Sequence, residues 1–281
     1  MTQPAPDTAG TLLAEIVADP DAAARATWQA WAERAVAAKQ ATDDVDHRNR
    51  LWSAETFVRA MATYVDAFGM MKAGDHFGAW KALEQAEIAL KGSARNPFLP
   101  ALVPLIQTRA EMIALWQTLF PYRFFLSPGM IKKNWACSIC GKKSTPIAPC
   151  GHTPGRVYAG ESAVRIISEA ELLEISIVTE PVQKYSVAFV EGKEFDYGIV
   201  EFVLDQLAAP FDPWDGAWGF ERHAHDLFPG LDLEEPCPCG SALRYGECCR
   251  QESGVKLRHF HLFSDDPDVD EASRRAGTYR A

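Results

Sequence analysis

The sequence predicts an α+β protein: an N-terminal helical bundle, a small β-rich domain in the middle and a compact cysteine-bearing module near the C-terminus. Three observations lead there. Apolar residues recur at helical spacing as far as Leu119. From Tyr122 onward, short β-branched runs alternate with Gly- and Pro-rich turns. All seven cysteines fall in two tight groups, one between Cys137 and Cys150 and one between Cys237 and Cys249. The expected boundaries are 1–121 for the helical domain, 122–209 for the β-rich domain, 210–235 for an acidic linker, 236–263 for the module and 264–281 for a flexible tail.

The helical region follows a tail, 1–10, expected to fray. Asp19-Pro20 suits a helix start, with Trp28, Trp31 and Ala35 on one face. Ser53 can cap a second helix carrying Phe57, Met61, Tyr64, Val65 and Phe68, which Gly74 ends. Asp75 can cap a third, carrying Phe77, Trp80, Leu83, Ala86 and Leu90 as far as Gly92. A fourth spans Leu102 to Leu119. The pair from Ser53 to Leu90 resembles one tetratricopeptide repeat, but no second copy follows at that period, so an ordinary bundle is the expectation.

In the central region, Arg156–Ala159, Val164–Ile167, Glu174–Val178 and Tyr185–Val190 read as strands, and Phe195–Leu207 as a helix. The stretch 210–235 mixes Pro, Gly and acidic residues and reads as a linker, with Trp214, Trp218 and Phe220 packing on something. Val255–Phe263 alternates as a strand does.

An odd cysteine count with no export signal does not suggest a disulfide framework. It suggests metal ligation. Cys137-Ser-Ile-Cys140-Gly141 has knuckle spacing, and Cys150-Gly-His152 follows after nine residues. Cys137, Cys140, Cys150 and His152 make a closed Cys₃His set, which suits structural zinc. Cys237, Cys239, Cys248 and Cys249 make a second closed set. Two structural zinc ions are therefore expected. Iron also suits four thiolates.

The segment Pro236-Cys-Pro-Cys-Gly-Ser-Ala-Leu-Arg-Tyr-Gly-Glu-Cys-Cys249 closely resembles the SEC-C motif, found at the C-terminus of the preprotein translocase motor SecA and in many small bacterial proteins. The resemblance implies that Cys237, Cys239, Cys248 and Cys249 ligate the metal and that Gly240, Ser241 and Tyr245 hold recurrent positions. Ala242 stands where Gly is usual and Gly246 where Lys is common. The run through His152, Pro154, Gly155, Tyr158 and Gly160 resembles zinc-ribbon segments of phage and prophage proteins, which gives the central domain its zinc-ribbon-like expectation. Glu174–Pro181 is similar to a segment of phage prohead proteases, with none of that family's catalytic residues matched.

Net charge is −10, which argues against a surface that grips nucleic acid throughout. Residues 121–165 nevertheless hold seven basic side chains against one acidic, whereas 166–235 hold three against sixteen. Lys132, Lys133, Lys142, Lys143, Arg156 and Arg165 surround the first cysteine group, and Arg244 and Arg250 the second. These basic islands are candidate partner-binding residues for a protein, a ribosome, or RNA or DNA phosphate. No Gly-rich phosphate loop, His-Glu-x-x-His motif or nucleophile–base pair stands out. His223, His225 and Asp226 form a cluster expected to be a solvated loop, and His259 and His261 are expected to be ordinary strand residues. No apolar run is long enough to cross a membrane, and the expected location is the cytoplasm. The expected function is that of a zinc-binding adaptor presenting a SEC-C module to a protein or ribosomal partner. The alternative is a phage- or mobile-element-derived protein acting on nucleic acid.

Overall fold

A computed structural model describes residues 7–145, 148–192 and 194–263. The expected flexible tail 264–281 and the first six residues of the expected frayed tail lie outside them. The chain is mixed helix and sheet, with its helices N-terminal and its cysteine groups central and C-terminal. It divides into two compact units, Met1–Phe195 with Ala209–Phe211, and Asp196–Ala208 with Asp212–Ala281.

The first unit begins with α1 (Thr8–Ala18), α2 (Arg25–Gln40), α3 (Val45–Lys72), α4 (His76–Arg95) and α5 (Val103–Leu119). Order starts earlier than the composition of residues 1–10 suggests, because the Asp7 side chain accepts from the Gly10 amide and caps α1. The second expected helix also starts earlier. Asp44, not Ser53, caps α3 by accepting from the amides of Asp46 and His47 at 2.9 and 3.0 Å. Ser53 lies inside α3, buried, and its hydroxyl donates to the Asn96 carbonyl. Asp75 caps α4 as expected, accepting from Gly78. Trp28, Phe57, Met61, Tyr64, Leu83, Leu90 and Trp116 are fully buried. Each contributes on the order of 2–3 kcal/mol by leaving water. In the core, Trp116 Nε1 donates to the Tyr64 hydroxyl at 3.1 Å, and that hydroxyl donates to the Pro210 carbonyl at 2.6 Å.

A sheet follows: β1 (Phe125–Cys137), β2 (Lys143–Ser144) and β5 (Arg165–Val178) in the order β2-β1-β5, with β3 (Val157–Tyr158) and β4 (Glu161–Ser162) as a separate hairpin. β1 is not legible in the sequence, since Pro128-Gly129 reads as a turn. Pro128 instead pairs with Ile175 beside a register irregularity after Gly129. β2 reaches only Trp135 and Ala136, so the lack of a Pro128 N–H breaks no second ladder. The two expected strands 164–167 and 174–178 are the ends of one long strand, β5, which is exposed along most of its length. The expected strand Tyr185–Val190 reduces to a bridge between Val187 and Phe125. Its start is bent onto α4 because the buried Glu84 carboxylate accepts the amides of Lys184 and Tyr185. Lys184 Nζ then donates to Glu87 and Gln117, each at 2.6 Å.

The second unit holds α6 (Gly198–Asp205), β6 (Asp215–His223) and β7 (Val255–Phe263). The stretch read as an irregular linker therefore contains a nine-residue strand, paired antiparallel with β7 from Asp215–Phe263 to His223–Val255. Trp218 stacks edge-on against Phe260, which accounts for aromatic residues in an acidic, glycine-bearing stretch. Among the described residues, no helix is long and apolar enough to cross a membrane.

Candidate metal centres

The first centre is built at the end of β1. Cys137 closes that strand, and its amide donates to the Lys142 carbonyl at 3.0 Å while Gly141 N–H returns to the Cys137 carbonyl at 2.9 Å. This tight turn brings Cys140 back beside Cys137. Ser138 fastens the turn to the start of β5 through bonds in both directions with Val164. Cys150 and His152 arrive on a loop, with Cys150 Sγ 3.8 Å from His152 Nδ1. The His152 ring packs edge-on to Tyr158 at 4.6 Å, and the Tyr158 hydroxyl accepts from Thr153. The ligand atoms of Cys137, Cys140, Cys150 and His152 all lie within 4.8 Å of one another.

Helix residues that no motif marks hold this loop in place. Asn96 at the end of α4 donates to the Gly155 carbonyl at 2.9 Å and accepts from Val157. Asn49 of α3, also buried, accepts from Gly160 at 2.8 Å. Gly160 has φ of +80°, and a side chain there would press on the Arg48 backbone at 3.1 Å, so both conformation and space call for glycine. Nothing in a single sequence separates these asparagines from solvated helix residues.

The second centre is a short loop on the β6–β7 hairpin. Cys237 N–H donates to the Leu243 carbonyl at 2.8 Å, Gly240 N–H to Cys237 at 3.1 Å and Tyr245 N–H to Glu235 at 2.8 Å. These bonds fold 235–245 into a knuckle that aims Cys237 and Cys239 inward. A 3-10 turn over Tyr245–Glu247 and another over Cys249–Gln251 bring Cys248 and Cys249 to the same point. Cys237, Tyr245, Cys249, Val255 and Leu257 form a small buried cluster, with Phe228 and Leu231 packed against it. Tyr245 is anchored through His225. His225 Nε2 lies 2.9 Å from the Glu252 carbonyl, which can only accept, so in the neutral ring Nδ1 accepts the Tyr245 hydroxyl at 2.7 Å. His225 is thus a brace for the knuckle, and the exposed Asp226 stands apart from it. Gly246, where Lys is common, lies under Leu233: a Cβ would sit 3.2 Å from the Leu233 carbonyl oxygen.

The donor sets fit tetrahedral metal. Bonds of about 2.3 Å place tetrahedral sulfurs about 3.8 Å apart. Cys239 and Cys248 Sγ are 3.6 Å apart, and Cys248 and Cys249 4.0 Å. None of the seven cysteines is in a disulfide. Electrostatics points the same way. Burial works against the Cys239 thiolate, but Ser241 and the neighbouring thiols outweigh it and bring the group down to about 6. Burial pushes Cys249 up to about 12, helped by Cys237 and Cys239. Thiols this crowded cannot all ionise unless a cation joins them. At the first centre the amide of Cys140, then that of Ile139, holds Cys137 below the usual thiol range.

Residues 235–251 match the family model described as SEC-C motif. The C-terminal module carries a SEC-C motif. No curated protein and no solved structure matches the chain. The SEC-C match and the two cysteine groups together support metal binding.

The candidate partner-binding cations around both centres are exposed. Lys133 pairs with Glu171, Arg244 with Glu234, and Arg156 donates to the Arg95 carbonyl. Arg165 lies over the Trp135 ring. Among the described residues, Lys132, Lys142, Lys143 and Arg250 make no ion pair.

Proposed function

We propose that the chain is a zinc-binding interaction protein of the cytoplasm that presents its SEC-C module to a protein or ribosomal partner. Cys237, Cys239, Cys248 and Cys249 hold one zinc; Cys137, Cys140, Cys150 and His152 hold another. The closed four-sulfur set carries this reading. Four protein donors leave no coordination position for a reacting water, so the ion supports shape rather than hydrolysis. The zinc would fix a loop too short to bury a core of its own, and it would neutralise the crowded thiolates. Cys237 and Cys249 face inward, while Arg244, Arg250 and the loop from Ser241 to Leu243 remain outside.

Two further observations support an interaction role. Lys132, Lys142 and Lys143 offer charge for an anionic surface. Apolar side chains also stand exposed along the β1–β5 ladder, among them Met130, Ile131, Leu172, Leu173, Ile175 and Ile177. Exposed apolar surface on this scale marks sites of association. The test is sedimentation of the full-length chain with ribosomes, in parallel with capture of protein partners. Binding at low salt that weakens as salt rises is expected, because screening removes phosphate contacts first. Cys249→Ser should lose it. Absence of both ribosome and partner binding at low salt would sink this function.

A further inference from the structure

The β6–β7 hairpin carries a third cluster of metal-ligating side chains that neither cysteine group includes. In the antiparallel register Gly219 lies opposite His259, Glu221 opposite Leu257 and His223 opposite Val255. Directly opposed residues share a sheet face, as do residues two apart on one strand. Glu221, His223 and His259 therefore occupy one face. Their ligand atoms lie within 4.8 Å of one another. His259 Nε2 stands 3.6 Å from Glu221 Oε2, and the rings of His223 and His259 have centroids 6.2 Å apart. Two bonds of about 2.1 Å to a tetrahedral ion would set their ligand atoms about 3.4 Å apart, so the His259–Glu221 spacing is already close to that of a coordinated pair.

The surroundings are shaped for the imidazoles. Gly219, across from His259, has no side chain; a Cβ there would meet His261 Nε2 at 3.0 Å. His261 packs edge-on to His259 with centroids 4.6 Å apart. His259 is fully buried, whereas Glu221 and His223 are partly exposed, which leaves the cluster an approach from solvent.

We propose that Glu221, His223 and His259 bind one divalent first-row transition-metal ion. The site differs in kind from the cysteine centres. Its donors are nitrogen and oxygen, which suit zinc, iron or another imidazole-favouring ion. Three protein ligands, unlike four, leave at least one coordination position for water or an exogenous ligand. The protein would then combine two centres that hold shape with one that can exchange a ligand.

The test uses the full-length chain with its cysteine centres loaded with zinc, titrated with Co²⁺. One further equivalent should bind and give a ligand-field spectrum without thiolate-to-cobalt charge transfer. Glu221→Gln and His223→Ala, both at partly exposed positions, should each weaken this binding by about 100-fold or more, since loss of even a supporting group around a metal costs about 10- to 100-fold. The metal content of the cysteine centres should not change, and far-ultraviolet circular dichroism should confirm that the hairpin persists. If the loaded wild type takes up no further ion, the third site does not exist, whatever the variants do. If it takes one that both variants keep with unchanged affinity, the ligands are not these. Failure of the cysteine centres would show separately, as missing zinc with the variant-sensitive cobalt still bound.

Discussion

The two cysteine clusters have the same number of donors but different support. In the SEC-C module, Cys237 and Cys249 are buried in a small cluster with Tyr245 and with Val255 and Leu257 of β7. The first cluster has Cys137 buried but Cys140 exposed, and its loop is held mainly by polar contacts from helix residues Asn49 and Asn96. The difference teaches where a metal-binding loop gets its shape. The module's core gathers around its cysteines, so an ion held there would stand or fall with that core. The first cluster is tied to a helical bundle that is complete without it, so losing its ion should free a loop rather than unmake a fold.

The largest expected effect follows from that contrast. Cys249→Ser should remove one ion per chain by elemental analysis and should strip hydrogen-exchange protection from the whole segment 236–251. Structural zinc contributes on the order of 10 kcal/mol to such pieces. Cys140→Ser should also remove one ion, but protection should fall only over 138–145 and 148–154. Residues 155–160 should keep theirs, because the bonds to Asn49 and Asn96 do not depend on the metal. If Cys140→Ser opens 155–160 as fully as Cys249→Ser opens the module, the distinction between the two supports is lost.

A middle-sized effect tests the polar support directly. Asn96→Ala removes two bonds to the loop and one to the Gly92 carbonyl within α4, at a site 4% exposed. Leaving such groups unpaired costs about 1–3 kcal/mol each when they stay buried. A loss of roughly 2–4 kcal/mol is expected in denaturant unfolding of the first unit, with weaker metal retention at the first centre and none lost from the module. Unchanged retention at the first centre would show that the asparagine supports the bundle alone.

These supports also explain what was readable in advance. The two cysteine groups that could hold a metal were legible because their members fall at short, regular spacings, and the bundle was legible because Trp28, Phe57, Tyr64 and Leu83 recur with the helical period. β6 was not. Its sequence, Asp-Gly-Ala-Trp-Gly-Phe-Glu-Arg-His, holds two glycines, and its partner β7 lies beyond the whole cysteine loop, so the pairing that makes it a strand is non-local. The same distance hid the meeting of Glu221 and His223 with His259. β1 was masked by Pro128-Gly129, a turn signal overridden by pairing with β5. Glu84 and Asn96 were missed for a different reason. A polar residue in a helix reads as solvated, and only tertiary structure shows which ones turn inward to hold another segment.

The smallest expected effect compares one residue type at both places. Ala242 in the module and Ala159 beside the first centre both have left-handed backbones, with φ of 61° and 49°. Alanine is disfavoured there by roughly 1 kcal/mol relative to glycine, because its Cβ crowds the following carbonyl. Glycine is usual at the SEC-C position that Ala242 fills, and the backbone geometry supplies the reason. Ala242→Gly should therefore stabilise the module by about 0.5–1 kcal/mol, since release of the crowding outweighs the extra freedom of the unfolded chain. If the module folds with its metal, as small structural zinc domains do, the gain should also appear as zinc held about two- to fivefold more tightly in a chelator competition. Ala159→Gly relieves the turn between β3 and β4 by a similar amount. That turn is fixed to the helices rather than to the ion, so thermal stability of the first unit should rise while zinc retention at Cys137, Cys140, Cys150 and His152 stays the same. Tighter zinc in the Ala159→Gly protein would mean that the first centre, like the second, folds with its metal.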